Sequence, residues 1–195
     1  MLFNPHRKNR HVIFAPLLAA GFMVVALAFA ARVVSPQDAA AAQTFQKEVS
    51  QLLEQSKAAA AQLERDALVL QSFTRGNLSW QSHAEQLSRI KEHINSMGED
   101  AKRLQDLRPA AAPWQQQAID RIIPLMTEMA SLTESAIEHL NANPNSLHTP
   151  EYTEYLKEKA ELATELSVLI SDSVKYDRVK AKLAELEKSL GLAGS

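Results

Sequence analysis

Residues 79–107, SWQSHAEQLSRIKEHINSMGEDAKRLQDL, carry the cleanest pattern in the chain. Trp80, Leu87, Ile94 and Ala101 recur every seventh residue, with Ile90, Met97 and Leu104 at the intervening position, so one apolar seam follows a helix at a period of 3.5. That period favours packing nearly along the axes of partner helices. Ser79 stands where the helix needs an N-cap acceptor. The segment predicts one member of a helical bundle and directs the search to its neighbours.

Upstream, residues 36–75 place Phe45, Val49, Leu52, Ala59, Leu63, Ala67, Leu70 and Phe73 near helical spacing, and Arg75-Gly76-Asn77 ends the run. Downstream, residues 108–113 form a connector with two prolines, and Trp114, Ala118, Ile122, Leu125, Met129, Leu132, Ala136 and Leu140 lay out a third helix over 113–141. Pro124 lies within it and predicts a local kink, because it lacks a donor and crowds the carbonyl of Asp120. The stretch 141–148 is dense in turn formers. Thr149-Pro150-Glu151 then combines an N-cap, a first-turn proline and an acid at the positive end of the helix dipole. A fourth helix over 150–190 takes Tyr152, Leu156, Ala163, Leu166, Ile170 and Val174 on its core face, then shifts to a heptad series through Tyr176, Val179, Leu183, Leu186 and Leu190. Gly191 closes it, leaving 191–195 as a tail.

Short connectors make neighbouring helices antiparallel, so the expected fold is all-α, an up-down-up-down four-helix bundle over 36–190. The second and third helices measure about 44 Å and the first and fourth about 60 Å at 1.5 Å per residue. Residues 36–46 and 179–190 are therefore left over as a two-helix stalk. There the small residues Ala39–Ala42, with Phe45, are expected opposite Val179, Leu183, Leu186 and Leu190, or else the leucine series meets another chain.

Residues 12–31, VIFAPLLAAGFMVVALAFAA, are twenty in number without a charge, matched to a bilayer core of about 30 Å. Arg7, Lys8 and Arg10 precede them, whereas Arg32 is the one basic residue that follows before Lys47. The expectation is a basic cytoplasmic stub over 1–11, a transmembrane helix or uncleaved signal-anchor over 12–34, and an extracytoplasmic, periplasmic bundle. The rival is a cleaved secretory signal, with small residues at Ala28-Phe29-Ala30 and Ala39–Ala42; it exports the same domain. The net charge of −2 mixes these regions: removing Arg7, Lys8, Arg10 and Arg32 from 21 basic residues leaves 17 against 23 acidic ones, or −6 for residues 33–195. A mildly acidic domain with interspersed signs is a poor partner for nucleic acid.

No cysteine is present, which removes disulfides, thiolate metal sites and cysteine nucleophiles. The five glycines build no phosphate loop. Di-iron bundles need Glu-x-x-His on inward faces, but Ile90 precedes His93 and Ala136 precedes His139 at that spacing. Haem ligation by Met97, Met126 or Met129 with His83 or His139 competes with core filling, the favoured reading, so no metal and no cofactor are expected. Glu151, Glu154, Glu158, Glu161 and Glu165, with Lys157 and Lys159, read as a solvated face, and no serine sits in a nucleophile elbow. An enzyme is therefore not expected.

Two functions remain. The first is a non-enzymatic, membrane-anchored accessory or scaffold subunit of a bacterial-type cell envelope, meeting a second copy or an envelope protein through Val179, Leu183, Leu186 and Leu190. The alternative is an extracytoplasmic small-molecule sensor or carrier, with His83, Arg89 and Arg121 as ligand-binding residues between helices. In topology, the order of basic stub, apolar helix and four antiparallel helices resembles the front half of bacterial four-helix-bundle sensors such as chemoreceptor periplasmic domains. The resemblance spans most of the chain and rests on no motif. After Leu190 only Gly-Leu-Ala-Gly-Ser follows, without a second membrane helix or signalling module, and no family is assigned on topology alone.

Overall fold

The computed structural model describes residues 36–76, 78–144 and 146–192. The expected stub and transmembrane segment, 1–11 and 12–34, lie outside the described residues, as do 193–195. Among the described residues no helix is long and apolar enough to cross a membrane.

Four helices and no strand are found there: α1 (Pro36–Ser72), α2 (Trp80–Leu107), α3 (Pro113–Ala142) and α4 (Pro150–Ser189). Each begins or ends where local chemistry directs it. The Ser79 hydroxyl accepts the Ser82 amide at 3.3 Å, and the Thr149 hydroxyl accepts the Tyr152 amide at 3.3 Å. Gly191, at φ +69°, permits a Schellman closure of α4, in which its amide donates to the Lys188 carbonyl and the Leu192 amide to that of Glu187. The last residues expected in the first helix, Phe73–Arg75, tighten into a 3-10 turn. α3 continues through Pro124, whose side is exposed.

Helices adjacent in sequence are adjacent in space, and α4 returns to α1, closing the four-helix ring. Ion pairs fix the antiparallel register between α1 and α2 (Glu48 with Arg103, 2.6 Å), α3 and α4 (Arg121 with Glu165, 3.2 Å), and α4 and α1 (Arg178 with Glu54, 2.6 Å). The core runs from Val49 and Val174 at one end to Leu70, Leu140 and Tyr152 at the other, all buried. Each fully buried Leu or Ile contributes roughly 1.5–3 kcal/mol of apolar transfer, which is what holds the ring together.

One expectation is corrected here and a second is narrowed. Lys159 does not join the solvated acidic face: it is 0% exposed, on the inward stripe between Leu156 and Ala163. Of the two neighbours expected for the leucine series, another chain stays open, because the described side chains of α1 do not cover it. Instead Gln46 and Lys47 of α1 share a groove with Lys180, Ala181 and Ala184 of α4, while Val179, Leu183, Leu186 and Leu190 are 67, 54, 50 and 70% exposed. At about 100° per residue, Leu183 is rotated by about 140° from Ile170 of the core stripe, so it faces away from the bundle.

Candidate functional site

The ligand-binding residues anticipated from sequence are not brought together. Arg89 lies on the surface of α2, its guanidinium 2.6 Å from Glu85 one turn earlier. Arg121 pairs across the surface with Glu165. Exposed pairs of this kind contribute at most about 1 kcal/mol. His83 is buried at the opposite end of the bundle from Arg121, at the level where the Trp80 indole donates to the Leu140 carbonyl at 2.9 Å. Leu140 and Arg121 are separated by roughly 28 Å along α3.

Around His83 the chain assembles an aromatic cluster. Its Nδ1 lies 3.0 Å from the Tyr152 hydroxyl, and the Phe73 ring meets it edge-on at 5.3 Å. His139 stacks on Tyr152 at 5.3 Å, its Nε2 3.0 Å from the Thr149 hydroxyl. Burial, and secondarily the nearby His148, push the His83 pKa below its ordinary value, while burial raises that of the Tyr152 phenol. Both effects favour neutral groups, so the cluster acts as a polar clasp joining α2, α3 and α4 at the loop end. His83 Nε2 is buried without a hydrogen-bond partner among the described residues.

Lys159 is the second buried polar group, and its ammonium has no hydrogen-bond partner among the described residues. Desolvation alone brings its pKa down to about 7. The neutral amine is then the favoured form at mildly alkaline pH, because an unpaired charge would have to give up its hydration. Sequence reasoning misplaced this residue by its charge. Its position, three after Leu156 and four before Ala163, is that of the inward stripe.

Two further polar ties escaped sequence reasoning. Gln115 is buried at the start of α3, where its carbonyl oxygen accepts the Ala112 amide at 2.9 Å and its Nε2 donates to the Gln46 carbonyl at 2.8 Å. One side chain therefore caps α3 and anchors it to α1. Gln86 of α2 donates to the Asp66 carbonyl at 3.0 Å, and His93 Nε2 lies 3.1 Å from the Asp66 carboxylate. A glutamine at a seam position was the available signal in both places.

Among the described residues the most exposed apolar feature is the outer side of α4. It begins at Tyr176, whose ring lies 5.1 Å from Trp114 at the head of α3, and continues through Val179, Leu183, Leu186 and Leu190. Beside Tyr176 a groove of about 480 Å³ between α3 and α4 is lined by Trp114, Gln117, Arg121, Asp172 and Tyr176 among others. Of the three anticipated ligand residues, Arg121 alone lines it. An apolar stripe of four aliphatic residues leading from an aromatic pair is suited to contact with another helix. Among the described residues no group of three or more histidine, aspartate or glutamate side chains is placed to hold a metal ion. No protein family, curated protein or solved structure matches the chain.

Proposed function

We propose that this chain is a non-enzymatic, single-pass membrane-anchored helical-bundle protein of a bacterial-type cell envelope, acting through protein–protein contacts as an accessory or scaffold subunit. In this reading residues 12–34 form the anchor, the N-terminus is cytoplasmic and the bundle is extracytoplasmic. The observation that carries it is the exposed series Val179, Leu183, Leu186 and Leu190, since a long apolar stripe turned away from its own core costs solubility unless another surface covers it. Photo-crosslinking from position 183 of the full chain in its native membranes tests the reading. Protein adducts are expected there; a chain that stays alone under irradiation overturns it.

A second reading is supported by the groove beside Trp114, Tyr176 and Arg121, which is the size of a small-ligand site. It makes the bundle an extracytoplasmic sensor or carrier. Thermal melting of the full chain against a broad metabolite panel distinguishes it, because a ligand that binds only the folded form raises the midpoint with concentration.

A further inference from the structure

α4 carries two apolar stripes that face different ways. The first, ending at Val174, points into the bundle. Beyond it the same side of the helix is taken over by Asp177, Ala181, Ala184 and Lys188, small or charged residues that build no core against α1. The apolar residues reappear rotated by about 140° as Tyr176, Val179, Leu183, Leu186 and Leu190, spaced 3-4-3-4 and all at least half exposed. A helix that needed only to cover its own bundle would have kept one stripe. A strict 3.5-residue repeat suits a left-handed supercoil with a helix of matching period.

We propose that two copies of this chain associate through a parallel coiled coil formed by residues 176–190 of α4. The proposal rests on the contact reading above and names the partner as a second copy. Such a stripe is self-complementary, since parallel alignment sets each Leu183 against its counterpart and each Leu186 likewise. One flanking pair is complementary. With Tyr176, Leu183 and Leu190 at position a, Lys182 falls at g and Glu187 at e, so each Lys182 meets Glu187 of the second copy, twice per dimer. The remaining flanking cation at g, Lys175, is already held at 2.9 Å by Asp172 of its own chain, which offsets its approach to Lys180 across the seam. Antiparallel alignment brings g towards g and e towards e, setting Lys182 near Lys182 or Ser189 and Lys180 near Lys180 or Glu187 according to register, so charge alone does not choose the direction. Two chains anchored by their N-termini in one membrane favour the parallel form. Two heptads are short for a free coiled coil, and anchoring both chains in one membrane supplies the effective concentration that the pairing needs.

The natural absence of cysteine makes the test direct. Leu183→Cys and Ala184→Cys are introduced separately into the full chain, and native membranes are treated with a mild oxidant. Leu183→Cys is expected to give a disulfide-linked homodimer at least tenfold more abundant than Ala184→Cys, whose side chain looks towards α1. Register is read in liposomes by energy transfer between labelled full-length chains. Lys182→Glu and Glu187→Lys should each lower the dimer fraction several-fold at low salt, and the double exchange should restore it to within about twofold. Circular dichroism matching the parent chain verifies that each variant is folded. A Leu183→Cys adduct with a different protein and no homodimer overturns the proposal while leaving the contact reading intact. A thiol at 183 that links to no protein and reacts only with a membrane-soluble maleimide overturns both. Failure of the double exchange to restore pairing overturns the parallel register.

Discussion

The two halves of α4 invert the usual relation between residue type and burial. Its first half, 150–174, hides a lysine; its second half, 175–189, exposes three consecutive heptad aliphatics, Val179, Leu183 and Leu186. Both use the same helical geometry. What differs is the surroundings: the first half is packed into the closed bundle between α1 and α3, where Lys159 is fully buried, whereas the second half has only Gln46, Lys47 and Ser50 of α1 and the head of α3 beside one of its faces. Burial at a helical position is decided by what the fold puts opposite it, and the residue then bears the energetic consequence.

That consequence is largest at Lys159. The unfolded amine titrates near 10.5 and the folded one near 7, so between those values the unfolded chain binds a proton that the folded chain does not. Stability should therefore rise with pH from about 7 to 10.5, by roughly 5 kcal/mol in all, with the full cost still present below pH 7. Lys159→Met is expected to raise stability at pH 7 by roughly 3–5 kcal/mol and to flatten that slope. Urea unfolding of both proteins at pH 7 and pH 10 checks it; parallel curves would mean the amine is hydrated.

Next in size is the contrast between leucines of the two halves. Leu166→Ala should cost roughly 2–5 kcal/mol through transfer and cavity terms, while Leu183→Ala should change monomer stability by less than about 0.5 kcal/mol. Equal losses in denaturant titrations would erase the distinction between the halves.

A smaller effect is expected at the loop end. Tyr152→Phe deprives His83 of its hydroxyl partner and should cost roughly 1–3 kcal/mol at pH 8. Because the folded imidazole titrates below 6.5, the parent protein should also lose stability as pH falls through that value, with unfolded chains taking up the proton first. Thermal melts at pH 8 and pH 5 measure both. Thr149→Ala, removing the α4 cap, should cost about 1 kcal/mol, seen as a small shift in melting midpoint.

Much of this was legible in the sequence. The seams of α2 and of the first half of α4, the caps at Ser79 and Thr149, and the glycine at 191 are local signals, and local geometry follows them. Lys159 was misread because its charge outweighed its position, although Tyr152, Leu156, Lys159, Ala163, Leu166 and Ile170 alternate by four and three. The leucine series is periodic in the sequence, which leaves two neighbours open, the alanines of α1 or another chain, and its exposure rules against the first alone. Periodicity gives a stripe's angular position on its own helix, and the direction of α1 around that helix is a tertiary quantity. Gln115 and Gln86 escape for a related reason, since each ties to a backbone carbonyl of another helix, those of Gln46 and Asp66, which carries no signature in the sequence.

The enclosed amine of Lys159 also gives the molecule an internal clock. Surface lysines are reached by acylating reagents at once and are held back only by protonation. Lys159 is largely deprotonated at mildly alkaline pH yet sealed from solvent, so its acylation must await an excursion that parts α4 from its neighbours. The rate at which that single site acquires a label counts such excursions directly, at the centre of the core rather than at the ends, where Trp80 and Trp114 sit.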